Sequence, residues 1–185
     1  MLQEIASYLI KIAASLFGTA LLLRAWALIV RLPPRNPFSQ AVFQATNWLV
    51  LPLRRIIPGT HGVDWASMLG AYLSALALLV LTILVHGANP LSLFPFGLVV
   101  ALLLVLGWAL NLVFWLTLLL GVLSWINPSS EGMWMLQMLT GPLLNPIRRV
   151  LPNTGGIDFS PLVLIIIVQV LRMVLNSSQF MLFGL

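Results

Sequence analysis

Two arginine pairs, Arg54-Arg55 and Arg148-Arg149, each stand shortly before an aspartate, Asp64 and Asp158. Around both, the chain reads Pro-x-Arg-Arg-x-x-Pro-x-Thr-x-Gly-[Val/Ile]-Asp-[Trp/Phe], with Pro58 and Gly62 in the first copy and Pro152 and Gly156 in the second. Two chemistries suit this pattern. A guanidinium presents a planar fork, so paired arginines can hold an acidic lipid headgroup or the carboxylates of a partner. Alternatively, the arginines fix orientation by charge alone while each aspartate, placed just ahead of an apolar run, accepts hydrogen bonds from the orphan N–H groups that open a helix. Gly62 and Gly156 permit the tight turn that either arrangement needs.

Other chemistry is poorly supplied. The chain has no cysteine, two histidines and four carboxylates, and contains no H-E-x-x-H, G-x-S-x-G or P-loop pattern. No catalytic residue, metal site or cofactor is expected, and the protein reads as a non-enzyme. His61 and His86, the only imidazoles available to a haem iron, are 25 residues apart. Across a helix that is roughly 37 Å, too far for one iron. The nine basic residues are not gathered into a tract, so nucleic acid is not an expected partner.

The elements that must position the motif are membrane spans. Of 185 residues, 61% are hydrophobic and 7% charged, and the mean hydropathy is +1.07. Between Asp64 and Glu131 lie 66 residues without a single Asp, Glu, Lys or Arg, more than a soluble domain of this size can hide. Four segments reach the roughly 20 apolar residues that a span requires: about 5–30, 65–85, about 96–126 and 159–175. Glu4 and Lys11 do not make a secretory leader, so the first apolar segment is expected to stay as a span. Arg31, Arg35, Arg54 and Arg55 fall in one loop and Arg148 and Arg149 in another, while the remaining connection carries no formal charge. By the positive-inside rule both arginine loops face the cytoplasm and both termini the periplasm. Lys11, Arg24 and Arg172 lie within spans near their ends and are expected to snorkel to the headgroups.

The motif belongs to a longer internal repeat. Residues 46–65 and 140–159 are identical at nine of twenty positions, at an offset of 94. The expected fold is therefore all-α, with four transmembrane helices in two parallel two-helix repeats, residues 1–95 and 96–185. Each repeat adds a cytoplasmic-face interfacial helix and loop. Gln40, Gln44 and Asn47 recur at helical spacing in the first loop, and Ser129 or Ser130 can cap a helix through Met133, Trp134, Leu136 and Leu139 in the second. Prolines 52, 142 and 146 are expected to end these helices before the arginines. Ala66, Gly70, Ser74 and Ser67, Ala71, Ala75 give the second span a small-residue face for close packing, and Asn111 and Gln169 could hydrogen-bond between helices. A pseudo-twofold would bring both motifs to one cytoplasmic-face site.

NPFSQ…PLRRIIPGTHGVD and NPIRRVLPNTGGIDFSP, with LLRAW at 22–26, closely resemble the YggT family, called YlmG in cyanobacteria. The resemblance covers nearly the whole chain. The first copy departs from the family pattern at His61, Trp65 and Ser67. The resemblance implies a bacterial inner-membrane protein whose relatives are associated with haem attachment to a b-type cytochrome, with osmotic stress and ion uptake, and with cell division. Together with the residues it points to an assembly or organising factor for membrane complexes. The alternatives are an ion-homeostasis or osmotic-stress protein, as a transporter component or regulator, and a haem- or cofactor-attachment factor. Expected partners are the bilayer, acidic lipid headgroups, and other membrane proteins or a second copy.

Overall fold

A computed structural model describes residues 1–33, 36–59, 62–151 and 158–183, with side chains described to Ser177. Arg35, His61, Pro152 and Gly156 lie outside the described residues. The fold is all-α: α1 (Leu2–Ile29), α2 (Pro37–Ile56), α3 (Trp65–Val85), a 3-10 turn (Pro90–Leu93), α4 (Phe96–Ile126), α5 (Glu131–Val150) and α6 (Ser160–Phe183). Four helices, α1, α3, α4 and α6 over Ser160–Ser177, are long and apolar enough to cross a membrane. This is a multi-pass membrane protein.

Local chemistry explains the helix ends. Asn36 caps α2 by accepting the Phe38 N–H at 3.0 Å, with Pro37 preorganised at the first position. Ser130 caps α5 through the Met133 N–H at 3.2 Å. α3 closes in a Schellman pattern, Gly87 N–H to Leu84 C=O and Ala88 N–H to Ile83 C=O. The prolines, however, do not end these two helices: Pro52 lies inside α2, and Pro142 and Pro146 inside α5. Pro52, Pro142 and Pro146 are each largely or partly solvent-facing, so a carbonyl freed by the missing N–H can turn outward instead of breaking the helix.

The chain forms two compact units, residues 1–29 with 33–109, and residues 30–32 with 110–185. In the first, Leu21 of α1, Val50 of α2, and Ala66 and Ala71 of α3 are fully buried together, ringed by Phe17, Leu22, Leu49 and Leu53. Lipid tails are as apolar as leucine, so close packing between small residues does the work that water exclusion does in a soluble core. The small face of α3 supplies it: Ala66, Ser67, Gly70, Ala71 and Ala75 are all buried. A second cluster joins Ala75 and Leu78 to Ala101 and Trp108 of α4. In the second unit α5 buries Met133, Leu136, Leu139, Thr140 and Leu144, and α6 buries Ser160, Leu164 and Val168.

The mid-span polar residues largely satisfy themselves. Ser74, Thr82 and Thr117 each donate to the carbonyl four residues back, at 2.8 Å. Gln169 is exposed on α6.

Candidate functional site

α2 ends in Arg54-Arg55, and the turn through Gly62, at φ +82°, brings the chain back so that Asp64 opens α3. Arg54 then meets Asp64 as a fork: Nε donates to Oδ1 at 3.2 Å and Nη2 to Oδ2 at 2.8 Å. The same device recurs in the second unit, where Arg148 Nε and Nη2 both donate to Asp158 Oδ2, at 2.9 and 2.7 Å. In each copy the first arginine of the pair ties the end of an amphipathic helix to the start of the following span. The second arginine is left outward: Arg55 and Arg149 are exposed and form no ion pair with any described residue. Pro58 lies exposed in the connection.

The two aspartates differ sharply. Asp64 is 2% exposed and makes no side-chain bond to the helix backbone, so the expected capping role fails there. Its Oδ2 instead accepts from Ser67 Oγ at 2.6 Å and lies 3.5 Å from Arg24 Nε. Asp158 does cap, accepting the Ser160 N–H at 3.0 Å while it holds Arg148, and its side chain is 43% exposed. Burial pushes the Asp64 carboxyl upward, but the bonds from Arg54 and Ser67 and the charges of Arg54 and Arg24 outweigh it and hold the group below the usual carboxylate value. Asp158 is likewise held low, its partial burial outweighed by hydrogen bonds from Ser160 and by Arg148.

Arg24 corrects the sequence reading most. It does not snorkel: it is 3% exposed and points into the first unit. Its Nη1 donates to Thr46 Oγ1 at 2.8 Å and Asn47 Oδ1 at 2.9 Å, and its guanidinium lies over the Phe43 ring at 4.9 Å. Thr46 is oriented for this because its own hydroxyl proton goes to Val42 C=O at 2.7 Å. Asn47 thereby leaves the polar stripe on which Gln40 and Gln44 remain exposed. Arg24, Asp64 and Arg54 form a charge cluster of net +1 linking α1, α2 and α3. The missing signal was register. In an antiparallel α1–α3 pair, an arginine five residues before the end of α1 stands level with the first turn of α3, and Asp64 is the carboxylate placed there.

The repeat sets Asn47 against Gly141 and, two residues past its end, Ser67 against Pro161, and α4 carries no charged residue to stand for Arg24, so the second copy keeps the fork and loses these additional partners. Thr140 retains only the back-bond of Thr46, to Leu136 C=O at 2.7 Å. Of the other charges, Lys11 is exposed and Arg172 lies 6.0 Å over the Phe114 ring. His86 Nδ1 is 2.8 Å from Thr82 C=O. Among the described residues no three His, Cys, Asp or Glu side chains cluster to hold a metal ion.

Comparison with known proteins agrees with this architecture. The CCB3/YggT family model matches residues 3–85 and 99–179. The chain is 37% identical over 169 residues to the uncharacterised protein YggT of Escherichia coli K12, covering 90% of this chain and 87% of that one. It is 36% identical over 164 residues to an uncharacterised protein encoded beside proC in Vibrio alginolyticus, covering 88% and 89%. It is 32% identical over 179 residues to the uncharacterised protein PA0392 of Pseudomonas aeruginosa, covering 96% and 91%. None of these relatives has an enzymatic name. No solved structure matches the chain.

Proposed function

This chain belongs to the CCB3/YggT family, and from that premise we propose that it is a non-enzymatic assembly or organising factor of the bacterial inner membrane. The observation that carries the reading is the division of labour within each arginine pair. Arg54 and Arg148 are engaged by Asp64 and Asp158, which fixes the ends of α2 and α5. Arg55 and Arg149 stand on the same helical turns, exposed and without an ion-pair partner among the described residues. A docking group held on a preorganised element loses little freedom when a partner arrives, so more of the contact energy appears as affinity. In this reading α2 and α5 lie in the cytoplasmic interface, both termini face the periplasm, and each outward arginine engages a carboxylate or phosphate of a neighbouring membrane complex.

The test exploits the difference between a fork and a point charge. In the double variant Arg55→Lys/Arg149→Lys the loops stay positive, so insertion and topology are preserved, but bidentate binding is lost. Membrane complexes that co-purify with the wild type from native membranes should fall several-fold with the double variant at equal protein level. Unchanged recovery of the same complexes refutes docking through these arginines.

A further inference from the structure

An open groove of about 410 Å³ runs along the first unit between α1 and α3, roofed by α2. Its floor is made by small residues, Ala13 and Ala14 of α1 facing Ser74 and Ala77 of α3. Nearer the loop that carries Asp64 the same helices close tightly, with Leu21 against Gly70. Beyond Phe17 the small side chains of both helices leave space beside their contact unfilled. The groove follows α1 from Phe17 to Ile10 and α3 from Ser74 to Leu81, roughly 11 Å of helix.

The lining is hydrocarbon. Apart from the Trp48 indole N–H at the mouth, its one polar side chain is Ser74, which already donates to Gly70 C=O at 2.8 Å, so the interior of the groove offers a polar occupant no free side-chain donor. Size decides between apolar occupants. A helix about 10 Å wide fills roughly 900 Å³ over such a length, twice the groove, whereas a single extended chain fits. At the mouth Trp48 stacks on Phe17, ring centroids 5.2 Å apart, yet remains 68% exposed, as an indole does where tails give way to headgroups. Trp48, Leu51 and Arg55 follow at i, i+3 and i+7 along one exposed face of α2, and the buried cluster behind that helix adds a net positive charge.

We infer that this groove is a phospholipid site: one acyl chain lies between α1 and α3 beneath Trp48, and the phosphate of an anionic headgroup is held by Arg55. The occupant comes from the leaflet that α2 faces. The groove is a surface of its own, while Arg55 is shared with the docking reading, so the groove-filling variants test the site without touching that reading.

The experiment uses the full chain in mild detergent, with bound lipid counted by native mass spectrometry after addition of dioleoyl phosphatidylglycerol or dioleoyl phosphatidylcholine. One arginine beside an anionic headgroup corresponds to a preference of roughly fivefold for phosphatidylglycerol. Ala77→Leu, and independently Ala13→Leu from the opposite wall, should reduce retention of both lipids at least fivefold while far-UV circular dichroism keeps the wild-type helix content. Arg55→Gln should abolish the preference and leave retention of the chain. These groove variants keep both outward arginines, so their outcome is separate from that of the docking test. Equal retention of the two lipids by the wild type overturns the headgroup assignment, and undiminished retention by two folded groove-filling variants overturns the site. A wild-type dimer that Ala77→Leu dissociates would make a second copy the occupant and overturn it as well.

Discussion

Removing the Asp64 carboxylate should be far more damaging than removing that of Asp158, although sequence alone treats them alike. Asp64→Ala strands Arg24, whose side chain is 4% exposed and whose Nε has no other charge partner. Arg54, at 39% exposure, can turn to solvent, but Arg24 cannot. Breaking a buried pair by deleting one member costs about 3–5 kcal/mol, because the remaining charge stays desolvated and unpaired. Asp158→Ala instead loses one helix cap, about 1 kcal/mol, and an exposed ion pair worth about 0–1 kcal/mol. The two variants should therefore differ by about 1–4 kcal/mol. The double variant Arg24→Leu/Asp64→Ala removes the stranded charge and should recover most of the loss. Unfolding of the detergent-solubilised protein by increasing dodecyl sulfate fraction, followed by far-UV circular dichroism, measures all four corners of the cycle. If Asp64→Ala costs no more than Asp158→Ala, or the double variant is no more stable than Asp64→Ala, the buried cluster does not have the energetic role argued for it.

Four further outcomes are expected. Asp158→Asn keeps an oxygen for the Ser160 N–H and should be about 1 kcal/mol more stable than Asp158→Ala, whereas Asp64→Asn, with no backbone bond to preserve, should gain much less over Asp64→Ala; the same unfolding series reads both. Because Asp64 is held below its ordinary value, its stabilisation is fully present above about pH 3.9 and is lost only as pH falls through the lower native value, so between pH 8 and 5 the cost of Asp64→Ala should be flat. Gly18→Ala drives a methyl group into the Trp108 ring and should cost about 1–3 kcal/mol, recovered in part by Gly18→Ala/Trp108→Leu, and a C-terminal alkaline phosphatase fusion should be active if both termini face the periplasm.

How much of this was legible depended on whether the signal was local. The bounds of α3 and α4 are those read from the sequence, because an uninterrupted apolar run leaves few alternatives. α6 runs past Leu175 through Asn176 and Ser177, since backbone hydrogen bonding continues after hydropathy falls. The prolines misled because their effect depends on which face they occupy: Pro52, with its ring on the outer side of α2, removes one hydrogen bond without stopping the helix. The arginine–aspartate forks were visible as a repeat, but not which arginine of each pair would be engaged. Arg24 and Asp64 are 40 positions apart, and only the antiparallel register of α1 and α3 makes them neighbours. The carboxylate stands at the mouth of the adjacent span, outside the apolar run that contains the arginine.

Duplication makes the divergence between the copies informative. The fork and its threonine survive in both, so the tie between amphipathic helix and span is the part that each half requires. The partners added to the tie are confined to the first half: Asn47 and Ser67 stand against Gly141 and Pro161, and α4 carries no charged residue in place of Arg24. A buried arginine is expensive to desolvate, and the second copy keeps its fork without one. Its presence in α1 therefore serves something other than the fork itself. What it adds is a third element: the fork joins α2 to α3, and Arg24 bonds both of them to α1. Those three helices are also the walls and roof of the groove, so the cluster braces the helices that line it beneath Trp48. The second copy, tied by an ion pair with both side chains more than 40% exposed, keeps the joint without that brace.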